Sequence, residues 1–433
     1  MAQPRASIPA RYVVAVVVGN ALEFYDFLTY AYFAVYIGKA FFPSSDPWAS
    51  LLASLGAFGV GFIMRPVGGF VIGRMGDLLG RKPAMILSFW LMGFAMLGFA
   101  LTPTYSKIGL AAPLLVIFFR MLQGFALGGE GGPTAAYLLE AAPAERRGFY
   151  SAFQPWTQNV SILVSGLVGV GLVDFLTPEQ LQDFGWRIAF LVGLAIVPVG
   201  LLIRRSLPET FRASREKNHE HIPLRPYFSV AMLGLLLIVG GTIGTYIRTY
   251  MTTYAITTLR LSANVAFAAT VVTGLCGVLF YLVGGAISDR VGRKPAILVP
   301  GTMLLVSILP TFRIITHYHS AGALLGAVAV LSILGVLSGS PVFAWLSESF
   351  PPLIRSGGFG VVYAISVSLF GGTTQYAVTW LIKVTGNPLM PAWYWTAAMV
   401  VSILAAIAAR ESAPRKLAGA ANPSVQLADE IAG

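Results

Sequence analysis

Long apolar runs, separated by short polar stretches, dominate the pattern of this chain. An apolar run of about 20 residues is long enough for one α-helix to cross the hydrocarbon core of a bilayer. At that length the pattern predicts twelve helices, six in each half of the chain. The predicted helices cover residues 12–37, 49–73, 83–102, 112–139, 150–173, 186–203, 228–254, 263–287, 296–316, 321–346, 358–382 and 391–409. The sequence therefore predicts an all-α integral membrane protein.

The polar stretches between these runs predict the domain boundaries. Residues 1–203 form an N-terminal six-helix bundle, 204–227 a cytoplasmic linker and 228–409 a C-terminal six-helix bundle. Residues 410–433 have no periodic apolar face, so we expect a disordered cytoplasmic tail. The first apolar run exceeds signal-peptide length and lacks an A-x-A cleavage site, which predicts a retained helix.

A short charged segment occurs twice. The spacing G-x-x-x-D-x-x-G-R-K is present in Gly73–Lys82 and in Gly285–Lys294, each read as a loop between apolar segments. A second repeat, E-x-x-P-x-x-x-R, is present in Glu140–Arg147 and Glu348–Arg355. A repeat of about 200 residues in an apolar chain indicates two related bundles with a site between them. We expect the charged side chains to form gating contacts that are made in one state and broken in another: Asp77, Arg81, Glu140, Asp289, Arg293 and Glu348.

Composition supports a membrane protein and limits its chemistry. The chain is 56% hydrophobic and 11% charged, which is more apolar surface than a water-soluble globule can bury. Its net charge is +11, but most Lys and Arg residues lie on the cytoplasmic side if both termini are cytoplasmic. The basic excess thus reflects topology and attraction to anionic lipid, and we expect no nucleic-acid partner.

The sequence gives no sign of an enzyme. Cys276 is the single cysteine, and the four histidines lie in predicted loops or at helix ends. There is no H-E-x-x-H pattern and no histidine within a predicted span, so neither a metal nor a cofactor is expected.

Ionisable residues inside the predicted spans are the candidates for function, because each is costly in a bilayer and should face a cavity or a partner. On the fourth helix Arg120, Gln123, Leu127, Glu130 and Thr134 share one face, which we expect to line a central cavity. Arg120 there is either an anion anchor or the partner of an acid on the first helix.

The first helix carries two acids one turn apart, Glu23 and Asp26. Two carboxylates this close disfavour double ionisation, so one of them can take up and release a proton. We predict a proton-coupling site at Glu23 and Asp26, with Glu130 the next candidate. The alternative is that one acid pairs permanently with Arg120.

Three further features have two readings each. Gln154, Gln158, Ser161 and Ser165 share a face of the fifth helix and either contact substrate or join helices. Arg248 on the seventh helix is either a second cationic contact or a side chain that reaches the headgroups. Arg65, followed by Pro66 and two glycines, is expected to serve gating or packing rather than substrate binding.

Both repeated segments resemble the signature of the major facilitator superfamily. Two other segments are Asn20-x-x-Glu23-x-x-Asp26-Phe27 and Arg120-x-x-Gln123-Gly124-Phe125-x-x-Gly128-x-Glu130-x-Gly132. They resemble the metabolite:proton symporter family of that superfamily. Together with Gly148-Phe149-Tyr150-x-x-x-Gln154 they are most similar to bacterial citrate and tricarballylate transporters. The resemblance implies the major facilitator fold, with two six-helix bundles related by a pseudo-two-fold axis, alternating access to one central site and a place in the bacterial inner membrane.

The resemblance and the polar pattern together define the expected function. We expect proton-coupled symport of a di- or tricarboxylate such as citrate or tricarballylate. The expected functional unit is a monomer. Its expected partners are the organic anion, protons or sodium, and the lipid bilayer. The chain departs from citrate-type transporters at Phe24-Tyr25, in the absence of a proline before Tyr254 and in the added Arg248. The alternatives are a zwitterionic osmolyte as substrate and sodium as the coupling ion. The expected substrate-binding residues are Asn20, Tyr25, Arg120, Gln123, Gln154, Gln158 and Arg248.

Overall fold

The structure, a computed structural model, describes residues 21, 24–79, 81–128, 138, 142–205, 225–351 and 354–414. The regular elements among these residues are all helical. Twelve of them are labelled here in chain order. They are α1 (24–32 and Ala34–Phe41), α2 (Pro47–Leu79), α3 (Arg81–Leu101), α4 (Ala111–Gly128), α5 (Phe153–Phe175), α6 (Trp186–Arg205), α7 (Phe228–Thr257), α8 (Ala263–Val291), α9 (Arg293–Tyr318), α10 (Ala321–Glu348), α11 (Arg355–Ser366, Val367–Gly371 and Gly372–Thr385) and α12 (Met390–Ala408).

Nine helices in the described ranges are long and apolar enough to cross a membrane. Large apolar side chains are exposed on their outer faces in both halves of the chain, among them Phe70, Leu114 and Val306. An exposed apolar surface of this extent suits contact with lipid, and helices satisfy their backbone polar groups internally, as a bilayer requires. The predicted all-α membrane fold is confirmed.

The repeated charged segment is shorter as a loop than the sequence suggested. α8 extends to Val291 and α9 begins at Arg293, so only Gly292 separates them. Gly292 has φ of +107°, a backbone conformation that favours glycine because a side chain is strained there. The charged residues of this segment therefore lie on helix ends, where the helices hold them in place.

α11 is not one continuous α-helix. Its middle, Val367–Gly371, is a π-helical turn. Such turns insert an extra residue and are frequent at functional sites. Val367 within this turn lines the central cavity described below.

Buried side chains form one cluster in the N-terminal half and two in the C-terminal half, with a few members contributed across the interface. The halves meet where α5 packs on α8 and α2 packs on α11. Glycines allow the close approach: a Cβ at Gly285 would lie 2.5 Å from the Gly148 carbonyl oxygen, and one at Gly59 2.6 Å from that of Gly372. Small residues at such crossings are typical of membrane helix packing.

Most of the predicted linker, residues 206–224, lies outside the described residues, so the division into two domains stays a prediction. The predicted tail begins differently from the expectation. Glu411 and Ala413 are packed against the ends of α9 and α10, and Ala413 is 1% exposed. The packed chain thus continues past residue 410, because the side chain of Glu411 finds helix-end amides to bind.

Candidate functional site

A cavity lies between the two halves of the chain. Phe24, Pro155 and Gln158 line it from the N-terminal half, and helices α7 to α12 line it from the other. Its empty volume, including the opening, is about 950 Å³. Aromatic side chains contribute much of the C-terminal wall: Tyr246, Tyr281, Phe343, Tyr363 and Trp395.

Arg248 on α7 is the cation that lines this cavity in the described part of the chain. Its side chain is 7% exposed, and its Nη2 donates to Thr245 Oγ1 at 3.1 Å while Nη1 lies 3.4 Å from the Leu331 carbonyl oxygen. α7 continues to Thr257, so Arg248 lies more than two turns from the end of the helix, and it lines the cavity. No carboxylate among the described residues pairs with it. Within the described ranges, therefore, no carboxylate compensates the positive charge of Arg248 in the cavity wall.

Gly335 on α10 makes room for this guanidinium. A Cβ at position 335 would overlap Nη1 of Arg248, whereas a Cβ at Gly339, one turn later, would make an ordinary 3.6 Å contact with the Tyr281 hydroxyl. The absence of a side chain at Gly335 thus fixes where the positive charge of Arg248 lies. Sequence reasoning did not identify Gly335, because one glycine among 47 carries no distinguishing signal.

The polar face of α5 divides between two roles. Gln158 lines the cavity, and its Nε2 donates to the Tyr363 hydroxyl at 3.2 Å across the two halves. Ser161 donates to the Ala21 carbonyl oxygen, and Ser165 lies 3.3 Å from the Thr29 hydroxyl, so both join α5 to α1. Gln154 is 2% exposed and is not among the residues that line the cavity. The structure thus brings Gln158, but not Gln154, to the cavity wall beside Arg248.

Arg120 lies behind α1, in an aromatic cage. Its guanidinium carbon is 4.4 Å from the ring centroid of Phe27, 4.5 Å from that of Tyr30 and 5.1 Å from that of Phe58. Its Nη1 donates to Gln123 Oε1 at 2.5 Å. Both side chains are fully buried, and neither lines the cavity. Cation–π contact accounts for part of the stabilisation of this charge.

Arg65 also lies against the ring of Phe27. Its guanidinium carbon lies 4.3 Å from the Phe27 ring centroid and 4.4 Å from that of Phe62. The side chain is 6% exposed and interacts with the hydroxyl of Tyr246 on α7. Arg65 therefore links the N-terminal half to the cavity wall, consistent with the gating or packing role expected for it.

Asp26 is completely buried on α1. Neither of its carboxylate oxygens has a hydrogen-bond partner in the described part of the chain, and Arg120 is near enough to interact with it electrostatically. The Tyr25 hydroxyl donates to the Ala189 carbonyl oxygen at 2.9 Å, which directs it toward α6 rather than the cavity. Asn20, Glu23 and Glu130 lie outside the described residues.

A cluster of charges joins the halves at the end of the bundle that carries the repeated segments. We call it the gate cluster: Asp289, Arg293, Glu348 and the backbone amides of Gly148 and Phe149. Asp289 accepts hydrogen bonds from these amides at 2.8 and 2.9 Å and pairs with Arg293 at 2.7 Å. The amides begin the short helix Arg147–Ser151, a favourable position for an anion.

Arg293 also pairs with Glu348 at 2.9 Å, as the sequence suggested. Of the equivalent N-terminal residues, Asp77 and Arg81 lie on described helices but their side chains are not described, and Glu140 lies outside the described residues. Sequence reasoning missed Glu411, which accepts from the backbone amides of Arg293 and Lys294 at 2.8 and 3.0 Å. A carboxylate that accepts from the first amides of α9 caps this helix. The sequence signal for this cap was only an acid placed just after α12.

The opposite end of the bundle is bridged as well. Asp46, before α2, pairs with Lys383 on α11 at 2.6 Å. Asn264, at the start of α8, donates to Asp174 near the end of α5 at 2.7 Å. Each bridge joins the two halves, so the cavity lies between contacts at both ends.

The geometry can be compared with known proteins. The family model described as "Major Facilitator Superfamily" matches residues 16–306, and the one described as "Sugar (and other) transporter" matches residues 210–421. The chain is 34% identical over 402 residues to a citrate-proton symporter of Klebsiella pneumoniae, covering 91% of this chain and 90% of that protein. It is 32% identical over 397 residues to an alpha-ketoglutarate permease of Escherichia coli (strain K12), covering 90% and 91%. It is also 34% identical to a putative proline/betaine transporter of Staphylococcus aureus (strain COL), covering 90% and 86%.

Among solved structures, the proton:xylose symporter XylE matches with a TM-score of 0.78 at 16% identity, over 92% of this chain and 94% of that one. At this identity the match concerns the fold alone. The fold and the matched relatives are those of transporters rather than enzymes. The chain belongs to the major facilitator superfamily, within its metabolite:proton symporters.

Proposed function

We propose that this protein is a proton-coupled symporter of a small organic anion that works by alternating access. The substrate we expect is a di- or tricarboxylate such as citrate or tricarballylate. The observation that carries this proposal is Arg248, which is buried in the wall of the central cavity without a carboxylate partner among the described residues. A buried unpaired charge is unfavourable, so an anion that enters the cavity is stabilised beside it.

The geometry around Arg248 suits a carboxylate. A guanidinium offers a planar pair of donors that matches the two oxygens of a carboxylate. Gln158 and the Tyr363 hydroxyl, 3.2 Å apart, line the same cavity and supply neutral hydrogen-bonding groups. Because they belong to opposite halves, an anion held between them and Arg248 contacts both bundles. Such contacts give the substrate a different affinity in each state, which alternating access requires.

The proton site belongs to the N-terminal half. Asp26 is buried with both oxygens unpartnered in the described part of the chain, and we propose that it carries the proton together with Glu23 or Glu130. The gate cluster and the Asp46–Lys383 bridge are proposed to close opposite ends of the same cavity. We place the functional monomer in the bacterial inner membrane with both termini cytoplasmic.

A zwitterionic osmolyte is the second candidate, because one of the matched relatives is named a putative proline/betaine transporter. Such a substrate needs an anionic or aromatic contact for its ammonium group as well as a cation for its carboxylate. The described lining residues supply aromatic rings and Arg248 but no carboxylate. This balance favours an anion over a zwitterion.

The test is uptake by the purified protein in proteoliposomes under an imposed proton or sodium gradient. Citrate, tricarballylate, 2-oxoglutarate and glycine betaine are offered separately. We expect accumulation of a carboxylate with the proton gradient alone, and its loss in Arg248→Gln. Arg313→Gln, at an exposed position of α9, is the matched control. Accumulation of glycine betaine alone, or a strict need for sodium, would contradict the proposal.

A further inference from the structure

The cavity continues past Arg248 into the C-terminal bundle as a cleft between α7, α9, α10 and α12. Its walls there are hydrocarbon side chains: Leu237, Ile297, Leu304, Val342 and Met399. Each of them is buried. The ring of Trp395 stands where this cleft meets the site of Arg248, with the guanidinium carbon 5.9 Å from its centroid.

The polar groups that line this cleft are already bonded within the protein. Ser338 donates to the Ile297 carbonyl oxygen at 3.1 Å, and Ser402 donates to the Leu236 carbonyl oxygen at 3.0 Å. Ser402 also accepts from the Gly240 amide at 2.7 Å. Trp395 Nε1 donates to the Gly240 carbonyl oxygen at 3.1 Å. A ligand that enters the cleft therefore meets carbon surface, and a second carboxylate there would lose its hydration without compensation.

We propose that this cleft is a subsite for a hydrocarbon substituent of the transported anion. Among the di- and tricarboxylates, the protein then binds those that carry an apolar group, such as a ring or a branched chain, more tightly than compact ones of the same charge. The inference rests on the proposed function, because it places the carboxylate at Arg248. The free energy gained in the cleft comes from removing apolar surface of the ligand from water.

Gly241 on α7 offers a way to fill the cleft without disturbing the fold. It lines the cavity, and a Cβ built on it has no heavy atom within 4 Å. It lies two turns before Arg248, and helix side chains point toward the N-terminus, so a larger residue at 241 extends away from the guanidinium. Gly326 on α10 is the matched control, since a Cβ there also meets nothing within 4 Å and the residue does not line the cavity.

The experiment is calorimetric binding of succinate and of benzylsuccinate to the purified protein. The two probes have the same two carboxylates and differ by one benzyl group. We expect benzylsuccinate to bind about tenfold more tightly, or better, as burial of an aromatic ring predicts. Gly241→Leu should reduce its affinity to that of succinate and leave succinate unchanged, Gly241→Ala should give an intermediate value, and Gly326→Leu should change neither.

The outcomes separate this inference from the proposed function. Equal affinities of the two probes in the unchanged protein would overturn the subsite while leaving carboxylate transport intact. A preference for benzylsuccinate that survives Gly241→Leu would also overturn it. Binding of neither probe, combined with no uptake of any carboxylate in proteoliposomes, would overturn the subsite and the proposed function together. Unchanged succinate binding in Gly241→Leu serves as the evidence that this variant is folded.

Discussion

The guanidinium of Arg248 occupies the space that the missing side chain of Gly335 leaves on α10. A Cβ at position 335 would overlap its Nη1. The overlapping atom is the far end of a flexible side chain, so the protein can accommodate an alanine by moving the arginine. The position of the proposed anion-binding charge therefore depends on a residue that contributes no chemistry of its own.

Gly335→Ala is predicted to displace Arg248 and weaken substrate binding while the protein remains folded. Loss of a charge-assisted hydrogen bond corresponds to a rise in KM of about tenfold to hundredfold. KM and the maximal uptake rate are measured in proteoliposomes. Gly339→Ala, one turn along the same helix, makes only an ordinary contact and should leave KM unchanged. Equal effects of the two substitutions would argue that Arg248 does not need this space.

The gate cluster predicts a shift in conformational equilibrium. Asp289→Asn removes the negative charge that binds two amides of the other half and Arg293. Weakening a buried charged contact of this kind destabilises the state closed at the gate-cluster end by on the order of 2 kcal/mol. The equilibrium therefore shifts toward the state that is open at this end. A cysteine is placed in the cavity wall as Gly339→Cys, in a Cys276→Ser background. A thiol reagent added on the gate-cluster side of the membrane should label it faster when Asp289→Asn is also present.

Glu145→Gln is the control for the gate-cluster prediction. Glu145 is an exposed acid close to the same helix start, and its replacement should leave labelling unchanged. If Asp289→Asn labels at the original rate, the cluster does not hold this end closed.

The bridge at the opposite end predicts a pH dependence. The Lys383 ammonium, which hydrogen-bonds to Asp46, holds the pKa of that carboxyl below its usual range. A depressed pKa means that the stabilising contact is fully present above the ordinary carboxyl pKa and is lost as pH falls through the lowered one. Closure of this end should therefore be constant between about pH 5 and about pH 8 and should weaken in high salt, because both side chains are partly exposed.

Spin labels at Ser45→Cys and Val384→Cys, in the Cys276→Ser background, measure by pulsed electron paramagnetic resonance how far apart the two halves lie at the Asp46–Lys383 bridge. Asp46→Asn should widen the distance distribution at neutral pH. In the protein that keeps Asp46 and Lys383, the distance distribution should not change between about pH 5 and about pH 8. A widening in that range would mean that Asp46 is not the titrating group.

The hydrophobic pattern was sufficient to predict an all-α membrane protein, because membrane spans need both length and continuous apolarity. It could not decide which arginine faces the cavity. The polar face of α4 that begins at Arg120 and Gln123 was expected to line the cavity, yet α4 is rotated so that Arg120 meets the rings of Phe27 and Tyr30. Rotation of a membrane helix is set by packing against its neighbours, which the periodicity of one helix does not contain. The role of Gly335 and the cap formed by Glu411 depend likewise on contacts between distant segments.

Asp26 has two carboxylate oxygens that are buried without a hydrogen-bond partner in the described part of the chain. An ionised carboxylate in such a place costs several kcal/mol unless a cation compensates it. Arg120 is near enough to contribute, but it is held among three aromatic rings and bonded to Gln123. Neutralisation by a proton is then the alternative, and the balance between the two forms can follow the arrival of an anionic substrate.

Asp26→Asn is therefore expected to abolish accumulation driven by a pH gradient and to preserve exchange of substrate between compartments of equal pH. Asp183→Asn, at an exposed position before α6, is the matched control and should accumulate normally. Both activities are measured with the same radiolabelled carboxylate in proteoliposomes. If Asp26→Asn still concentrates substrate, the proton is carried by Glu23 or Glu130, and the same pair of assays on Glu23→Gln and Glu130→Gln identifies which. Loss of exchange as well as accumulation would instead mean that Asp26 maintains the structure around Arg120, since a coupling residue is needed only when a proton gradient drives the cycle.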